Sequence, residues 1–233
     1  MVVNTVLRIS TSCKVTGVMS STARTGRGRR AARPSGDDRE SAILTTAERL
    51  LDQRPLNDIS VDDLARGAGI SRPTFYFYFS SKDAVLLALL DRVIAEANAR
   101  ADAALGGRDD RPVEPAGVWQ AIKALFETFA AHRAVMLAGA AMRPSNHEVQ
   151  RVWSLFMQKW IDYTAVSISA ERERGAAPDT LPAEDLAIAL NLMNERIMLS
   201  SFASEQASVP AERLVGTLAH IWVSSIYGTP PPS

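Results

Sequence analysis

A group of polar side chains interrupts an apolar helical segment near the end of the chain. Asn191, Asn194, Glu195 and Met198 recur at i, i+3, i+4 and i+7, which places them on one face of a helix. Their apolar neighbours are Leu190, Leu192, Met193, Ile197 and Leu199. An amide buried without a partner costs about 1–3 kcal/mol. The spacing therefore predicts either a cavity whose ligand or waters pair with these groups, or a dimer interface in which the amides bond each other.

The residues that most often perform catalysis do not form a catalytic pattern here. His132, His147 and His220 are far apart and lack metal-ligand spacing. There is no Gly-rich phosphate loop and no Ser-His-Asp order. Glu171 and Glu173 flank arginines at the end of a predicted helix, which is typical of a solvated face. We predict that the protein is not an enzyme and uses no cofactor and no metal.

Two other predicted helices carry aromatic stripes at helical spacing. The stripes consist of Trp119, Ile122, Phe126 and Phe129 on one helix and of Trp153, Phe156, Met157, Trp160, Tyr163 and Thr164 on the other. A stripe of this kind belongs to a core more often than to a binding site. Wide aromatic walls together with a few convergent polar groups nevertheless describe a small-molecule site.

The first half of the segment from residue 60 to residue 82 predicts a short helix and a turn. Ser60 is an N-cap candidate, and Asp63 three residues later can complete a capping box. Gly67 and Gly69 stand where this helix must end and where the backbone favours a positive φ. The pattern is that of the first helix of a helix-turn-helix.

The second half of the segment predicts the second helix of the motif, over residues 72–77. Ser71 offers an N-cap, and Pro73 is tolerated in the first helical turn, where its missing N–H has no intrahelical partner. Lys82, a basic residue, follows at the start of the next predicted helix.

Five consecutive aromatic residues, 75 to 79, form most of this second helix and cannot all be buried on one face. Phe75 and Phe79 lie four residues apart and can turn inward. Thr74, Tyr76 and Phe77 then project outward, toward a major groove if the motif binds DNA. Two capped helices with an aromatic core would produce the same pattern without DNA binding.

The whole segment resembles the DNA-binding domain of the TetR family of transcriptional regulators. The resemblance to the family is carried by residues 59–65, 69–71, 74–79 and 81–83. Beyond this domain, residues 32–38, 156–160 and 190–196 resemble one repressor of that family, and this second resemblance covers residues 28–228. It implies an all-α fold with a three-helix head, a helical body that binds a lipophilic ligand, and a dimer on a palindromic operator. It also implies control of a neighbouring monooxygenase-type gene, on which the residues themselves are silent.

The resemblance and the helical spacing together give the predicted site residues. The predicted DNA contacts are Ser60, Arg72, Pro73, Thr74, Tyr76, Phe77, Tyr78 and Lys82. The predicted ligand contacts are Trp119, Phe126, Phe129, Trp153, Met157, Trp160, Tyr163, Thr164, Asn191, Asn194, Glu195, Met198 and Trp222. Only Arg72 among the DNA set carries a strong guanine-reading group, so phosphate contacts and dimer spacing must contribute much of the affinity.

Helical spacing, caps and prolines divide the chain into about nine helices without sustained strand alternation. We predict a disordered basic arm over residues 1–36, a helix-turn-helix domain over 37–82, a ligand-binding and dimerisation domain over 83–228, and a flexible tail over 229–233. The predicted helices cover about 37–54, 60–67, 72–77, 82–105, 119–132, 135–142, 146–174, 182–205 and 210–227. The last two are apolar on more than one face, which predicts a four-helix dimer interface.

Charge is distributed unevenly along a chain whose formal net charge is zero. Residues 1–36 contain seven basic and no acidic side chains, whereas residues 101–233 contain eleven basic and fifteen acidic ones. A mobile basic arm beside a DNA-binding motif predicts backbone or minor-groove contacts, although most charge runs are solvated tails. One cysteine, no bilayer-length apolar run and no signal-peptide core favour a cytoplasmic protein. Met19 is an alternative start.

The function that these patterns favour is that of a ligand-responsive transcriptional repressor. Two other classes remain open at this point, an enzyme and a carrier or sensor of hydrophobic ligands whose head no longer binds DNA. Effector-reversible binding to its own promoter distinguishes a repressor from both.

Overall fold

The computed structural model describes residues 36–106 and 115–228, and this part of the chain is all-α. Its nine α-helices are α1 (Gly36–Leu51), α2 (Val61–Gly67), α3 (Arg72–Tyr78), α4 (Lys82–Ala104), α5 (Pro115–Ala131), α6 (Arg133–Met142), α7 (His147–Glu173), α8 (Ala183–Phe202) and α9 (Ala211–Tyr227). The predicted number of helices and the all-α class are confirmed. Apart from Gly36, the predicted arm and the predicted tail lie outside the described residues.

The first three helices pack around a small apolar centre. Ile43 of α1, Leu64 of α2 and Phe75 of α3 are fully buried, because each lies on the one apolar face of its helix. At Gly67 the backbone of α2 comes so close to α1 that an added Cβ would lie 2.3 Å from the Thr46 methyl group. The short α2 can therefore cross α1 closely only with glycine at this position.

The predicted caps and turn of the helix-turn-helix are confirmed in detail. The Ser60 hydroxyl accepts the Asp63 N–H at 3.1 Å, and the Asp63 carboxylate accepts the Ser60 N–H at 3.1 Å, which completes a capping box. Gly69 has a φ of 68°, and the Ile70 N–H donates to the Ala65 carbonyl at 2.9 Å. This is the hydrogen bond of a helix ending in a left-handed residue, which directs the chain into α3.

A short 3₁₀ turn, Leu56–Asp58, joins α1 to α2 and was not predicted from the sequence. The Lys82 ammonium holds it in place, donating to the carbonyl oxygens of Leu56 at 2.8 Å and of Asn57 and Ile59 at 3.1 Å each. Lys82 is the first residue of α4. A lysine has three N–H donors. Its side chain thus uses its whole donor capacity to fasten this connection to the start of α4.

Helices α5, α6 and α7 pack against α4, and α8 and α9 pack against these helices. α5 lies against α4 and α9, α6 lies against α4 and α1, and α7, α8 and α9 pack in that order. A Cβ on Gly139 of α6 would lie 2.7 Å from a Leu90 methyl group, so α6 approaches α4 closely. The C-terminal half of the body thereby surrounds a space bounded by α5, α7, α8 and α9. None of the helices in the described ranges is both long and apolar enough to span a bilayer.

We expect the Lys82→Met variant to lower the free energy of unfolding by about 2 kcal/mol, because three carbonyl groups lose their charged donor. Urea denaturation monitored by circular dichroism measures this change. The control is Lys123→Met, which removes a 3.6 Å pair with Glu127 and a contact with the Trp119 ring at the surface of α5. It should change the free energy by less than about 0.5 kcal/mol. Equal losses in both variants would contradict a bracing role for Lys82.

Candidate functional site

Helix α3 presents two aromatic side chains to solvent and buries two others. Phe75 and Phe79 face inward and contact each other, with ring centroids 6.1 Å apart. Tyr76 is exposed, and Phe77 is 83% exposed. The predicted division of the aromatic run is thus confirmed. An 83% exposed phenylalanine contributes almost nothing to this chain's own core, so its hydrophobic surface is available to a partner.

Arg72 is held at the surface by a carboxylate and a phenol. Its guanidinium donates to Asp62 at 2.9 Å, donates to the Tyr76 hydroxyl at 3.4 Å and lies 5.8 Å from the centre of the Tyr76 ring. The hydrogen bond with Tyr76 and the charge of Asp62 raise the pKa of Arg72 above its ordinary value. Asp62 and Tyr76 thus hold the guanidinium at the exposed surface of the head.

Other predicted DNA contacts also have structural roles. The sequence predicted the cap at Ser60 and the first-turn position of Pro73, but not the roles of the other residues. The Ser60 side chain caps α2, the Thr74 hydroxyl pairs with the Ser71 hydroxyl at 2.8 Å, and Lys82 fastens the 3₁₀ turn. Half-buried Tyr78 packs edge-on against Phe77, and Pro73 is exposed in the first turn of α3. Their contacts with DNA stay predictions.

Two neighbouring chambers lie between α5, α7, α8 and α9. The first has about 50 Å³ open to the centre of a water molecule and is lined by Leu105, Val118, Ala121, Ile122, Leu125, Trp160, Tyr163, Thr164, Ser167, Ile168, Glu171, Asn191, Asn194, Trp222, Ile226 and Tyr227. The second has about 40 Å³ and is lined by Leu125, Trp153, Phe156, Met157, Trp160, Asn191, Asn194, Glu195 and Met198. Because the chambers share Leu125, Trp160 and the two asparagines, we treat them as one cavity.

The two asparagines of α8 have fixed orientations inside this cavity. The Asn191 amide nitrogen donates to the Thr164 hydroxyl at 3.1 Å and to the Ala187 carbonyl at 2.9 Å. The Asn194 amide oxygen accepts the Trp222 indole N–H at 2.9 Å. A carbonyl only accepts and an indole N–H only donates, so neither amide can be flipped.

One acceptor and one donor therefore remain for a ligand. They are the Oδ1 atom of Asn191 and the Nδ2 atom of Asn194, which have no hydrogen bond within the described residues. Both amides are buried within one chain and bond to neighbouring helices of that chain. This arrangement favours the cavity over the dimer interface as the explanation of the polar face.

The second chamber ends at a charged pair. The Glu195 carboxylate binds the Arg143 guanidinium, which also lies 5.4 Å from the centre of the Trp153 ring. The buried indole nitrogen of Trp153 has no hydrogen-bond partner in the described part of the chain. An oxygen acceptor from a ligand would relieve this unpaired donor.

Three aromatic residues from the predicted ligand set do not line either chamber. Trp119 is 42% exposed with the Lys123 ammonium 5.3 Å from its ring, and Phe126 stacks on Phe202 at 5.7 Å. Phe129 is buried edge-on against Phe156. These positions belong to the stripe on α5, most of which supports the cavity from behind; their ligand contacts stay predictions.

The prediction that Glu171 lies on a solvated face is wrong. Its side chain is only 3% exposed and lines the first chamber, with its Oε1 atom 2.5 Å from the Arg174 guanidinium, whereas Glu173 is exposed. Ser167 and Glu171 continue the spacing that begins at Trp160 and Thr164, so the periodicity of α7 carried the signal. The pair with Arg174 makes the burial of Glu171 tolerable.

A larger groove, with about 590 Å³ open to the centre of a water molecule, lies between the end of α1, the 3₁₀ turn and α6. Its lining includes the charged residues Asp52, Asp83 and Arg133. Because much of its surface is polar, it fits a lipophilic effector less well than the cavity does.

His132, between α5 and α6, connects the body to the head. Its Nδ1 atom contacts the Glu48 carboxylate of α1, and its Nε2 atom lies 3.4 Å from the Glu96 carboxylate of α4. Helix α5 lines the cavity, and His132 follows the last residue of this helix. The contact with Glu48 thus joins the end of α5 to α1 of the head. Nowhere in residues 36–106 and 115–228 do three or more His, Cys, Asp or Glu residues cluster as metal ligands.

Comparison with known proteins places both halves of the chain. A family model described as bacterial regulatory proteins of the tetR family matches residues 43–89, and a model of the C-terminal domain of the transcriptional regulator EthR matches residues 118–228. Over 205 residues the chain is 63% identical to the HTH-type transcriptional regulator EthR of Mycobacterium tuberculosis, covering 87% of this chain and 93% of that protein. EthR of Mycolicibacterium smegmatis is 55% identical over 213 residues, with coverages of 91% and 97%.

Solved structures share the fold at low sequence identity. A transcriptional regulator from Saccharomonospora viridis in complex with choline aligns with a TM-score of 0.64 at 20% identity, over 81% of this chain and 96% of that one. The fatty acid degradation regulator FadR from Bacillus halodurans aligns with a TM-score of 0.64 at 14% identity, with coverages of 87% and 98%.

The capping box generates a prediction about proton binding at α2. Hydrogen bonds from the side chain and backbone of Ser60 lower the pKa of Asp63 below its ordinary value. A carboxyl group whose pKa is lowered by folding contributes stability above its unfolded pKa, about 4, and loses it as the pH falls. We expect Ser60→Ala to raise the pKa of Asp63, measured by NMR titration of the carboxyl carbon. Ser71→Ala, which removes the cap of α3 only, should leave that pKa unchanged; a shift in both variants would contradict the local cause.

Proposed function

Because the chain belongs to the TetR family of transcriptional regulators, among the EthR proteins, we propose that it is a dimeric repressor released from a palindromic operator by a small lipophilic effector. The observation that carries this proposal is the cavity formed by the two chambers, which we name the effector cavity. Apolar walls surround one uncommitted amide oxygen and one uncommitted amide nitrogen of fixed orientation, which is the composition of a small-molecule site. The fold accommodates small ligands elsewhere, since the Saccharomonospora viridis regulator is in complex with choline.

In this proposal the head, residues 37–82, reads DNA through α3. Arg72 exchanges Asp62 for guanine or phosphate, and the exposed rings of Tyr76 and Phe77 contact base methyl groups or sugars. None of these contacts except that of Arg72 distinguishes bases strongly. Phosphate contacts, supplemented by the basic side chains of residues 1–36, supply the remaining affinity and make it salt-dependent.

The dimer forms through α8 and α9. Ile188 and Leu192 project from α8 with 36% and 49% of their surface exposed, which is unusual for large apolar residues on a helix that also faces a core. On α9, a Cβ at Gly216 would meet nothing within 4 Å, so a second copy can approach this backbone closely. A two-fold axis here places two α3 helices on successive major-groove faces.

Release of DNA follows from the small size of the cavity. A volume of 50 Å³ open to water centres accommodates a few waters, so a longer effector must separate α5 from α7 and α8. Movement of α5 reaches His132, whose partners Glu48 and Glu96 lie on α1 and α4. The effector shifts the dimer away from the DNA-binding state by its difference in affinity for the two states.

The proposal extends to the regulated gene and to the compartment in which the repressor acts. A neighbouring monooxygenase-type gene is the target that the family resemblance implies, and a repressor of it acts in the cytoplasm, where the chromosome lies. A carrier or sensor with the same cavity and a degenerate head is the alternative, and promoter binding distinguishes the two.

We expect the purified protein to shift a fragment of its own promoter and the Phe77→Ala variant to bind it about tenfold more weakly, since a desolvated ring contact is lost. Fluorescence anisotropy of labelled promoter DNA measures both affinities. The control is Leu155→Ala, which removes another exposed large apolar side chain, on α7, and should leave the affinity unchanged. Absence of any sequence-specific binding would favour the carrier.

We expect Asn191→Ala to weaken binding of 1-octanol several-fold, because the hydroxyl loses its acceptor in the cavity. Quenching of tryptophan fluorescence measures the affinity, and light scattering measures the dimer mass. Gln158→Ala, which removes an exposed amide from α7, serves as the control. Loss of the dimer in Asn191→Ala with unchanged octanol affinity would instead assign the amide to the interface.

A further inference from the structure

The first chamber of the cavity has one charged residue among the described residues that line it, Glu171. The rest of its lining is apolar, aromatic or neutral polar. Arg174 occupies the Oε1 atom of this carboxylate, and the described residues place no hydrogen bond on the Oε2 atom. Arg174 itself is half exposed and does not line the chamber. The chamber thus has a negative charge at one end, and the arginine paired with this charge lies outside the chamber.

The ends of three helices add negative potential at the same place. Leu105 is the C-cap of α4, Glu171 is in the last turn of α7, and Tyr227 is the last residue of α9, and all three line the chamber. A helix C-terminus carries about half a negative charge. The N-terminus of α5, just before Val118, carries a partial positive charge, which offsets the partial negative charge of one of the three C-termini. The balance of dipoles therefore reinforces the carboxylate.

We propose, on the premise that this cavity is the effector site, that the effector is an amphiphile with a cationic ammonium head, which binds at Glu171 while its apolar tail extends past Trp160 toward Met157. The amide groups of Asn191 and Asn194 lie between these two ends and pair with polar atoms along the tail. An anionic head is disfavoured at the Glu171 end by the carboxylate and by the helix termini. A neutral lipophile binds the same space but gains nothing from this end.

The other acidic residue of the cavity fits a head group less well. Glu195 in the second chamber is paired with Arg143, whose guanidinium is also stacked on Trp153. Its position on α8 is in the interior of the helix, away from a terminus. Of the two acidic residues, Glu171 therefore offers the ammonium the less occupied carboxylate, and its position at a helix C-terminus adds a favourable negative potential.

Three straight-chain ligands of eight carbons each test the proposal. They are octylamine, 1-octanol and octanoate, and their affinities for the full-length dimer are measured by tryptophan fluorescence and by the shift in melting temperature at pH 7.5. We expect octylamine to bind about tenfold more tightly than octanol, and octanoate more weakly than octanol, because a charge-assisted hydrogen bond replaces a neutral one.

Variants of the charged pair give changes of opposite sign. Glu171→Gln keeps the shape of the side chain and should abolish the preference for the amine, whereas Arg174→Gln uncovers the carboxylate and should increase the preference several-fold. Glu173→Gln, two residues away and exposed, is the matched control and should keep the wild-type preference. An increase in Arg174→Gln cannot result from loss of folding.

The outcomes separate this inference from the proposed function. If octanol binds and octylamine binds no better, or if Glu171→Gln retains the full preference, the cationic head is wrong while the effector cavity stands. If the Glu173→Gln control loses the preference as well, the effect is one of surface charge and the assignment to Glu171 is overturned. If none of the three ligands binds, the effector cavity itself is wrong.

Discussion

The hydrogen bonding of two buried amides constrains the body of this protein more than any other feature. Asn191 and Asn194 lie on α8 among apolar side chains, where an unpaired amide would cost about 1–3 kcal/mol. Thr164 of α7 and Trp222 of α9 each satisfy half of one amide. The same bonds thus hold α7, α8 and α9 in register and leave one donor and one acceptor in the space between them. The need to pair these two amides therefore fixes both the packing of the three helices and the polar groups that face the cavity.

The head depends on a different constraint, the need to bury two aromatic rings of α3 within a domain of three short helices. Burial of Phe75 and Phe79 leaves Tyr76 and Phe77 outside, so the core of the head dictates the face that DNA would meet. Lys82 and His132 then connect this head to the body, one through backbone carbonyls and the other through carboxylates of α1 and α4. Helix α4 begins at the end of the head and packs against α1, so it joins the head to the body.

Several parts of the fold and site could be predicted because their causes are local. The caps at Ser60 and Ser71, the left-handed turn at Gly69 and the inward pair Phe75 and Phe79 each depend on residues within a few positions. The 3₁₀ turn before α2 and the brace from Lys82 could not, because the lysine acts on carbonyls 23 to 26 residues earlier in the chain. Trp119 and Phe126 share a stripe with the cavity residue Ile122 but do not line the cavity. Helical spacing could not show this, because the packing of the other helices decides which part of a stripe lines a cavity.

What the sequence by itself determined was the secondary structure, the helix-turn-helix and the presence of polar groups on an apolar helix, since periodicity and capping are properties of neighbouring residues. The family resemblance added the expected architecture. Only the tertiary structure decided how each amide is oriented, because that depends on an indole and a carbonyl brought together by packing. It also decided that Glu171 is buried beside three helix ends, since burial of a charged residue is set by the elements that surround it and not by its position on its own helix.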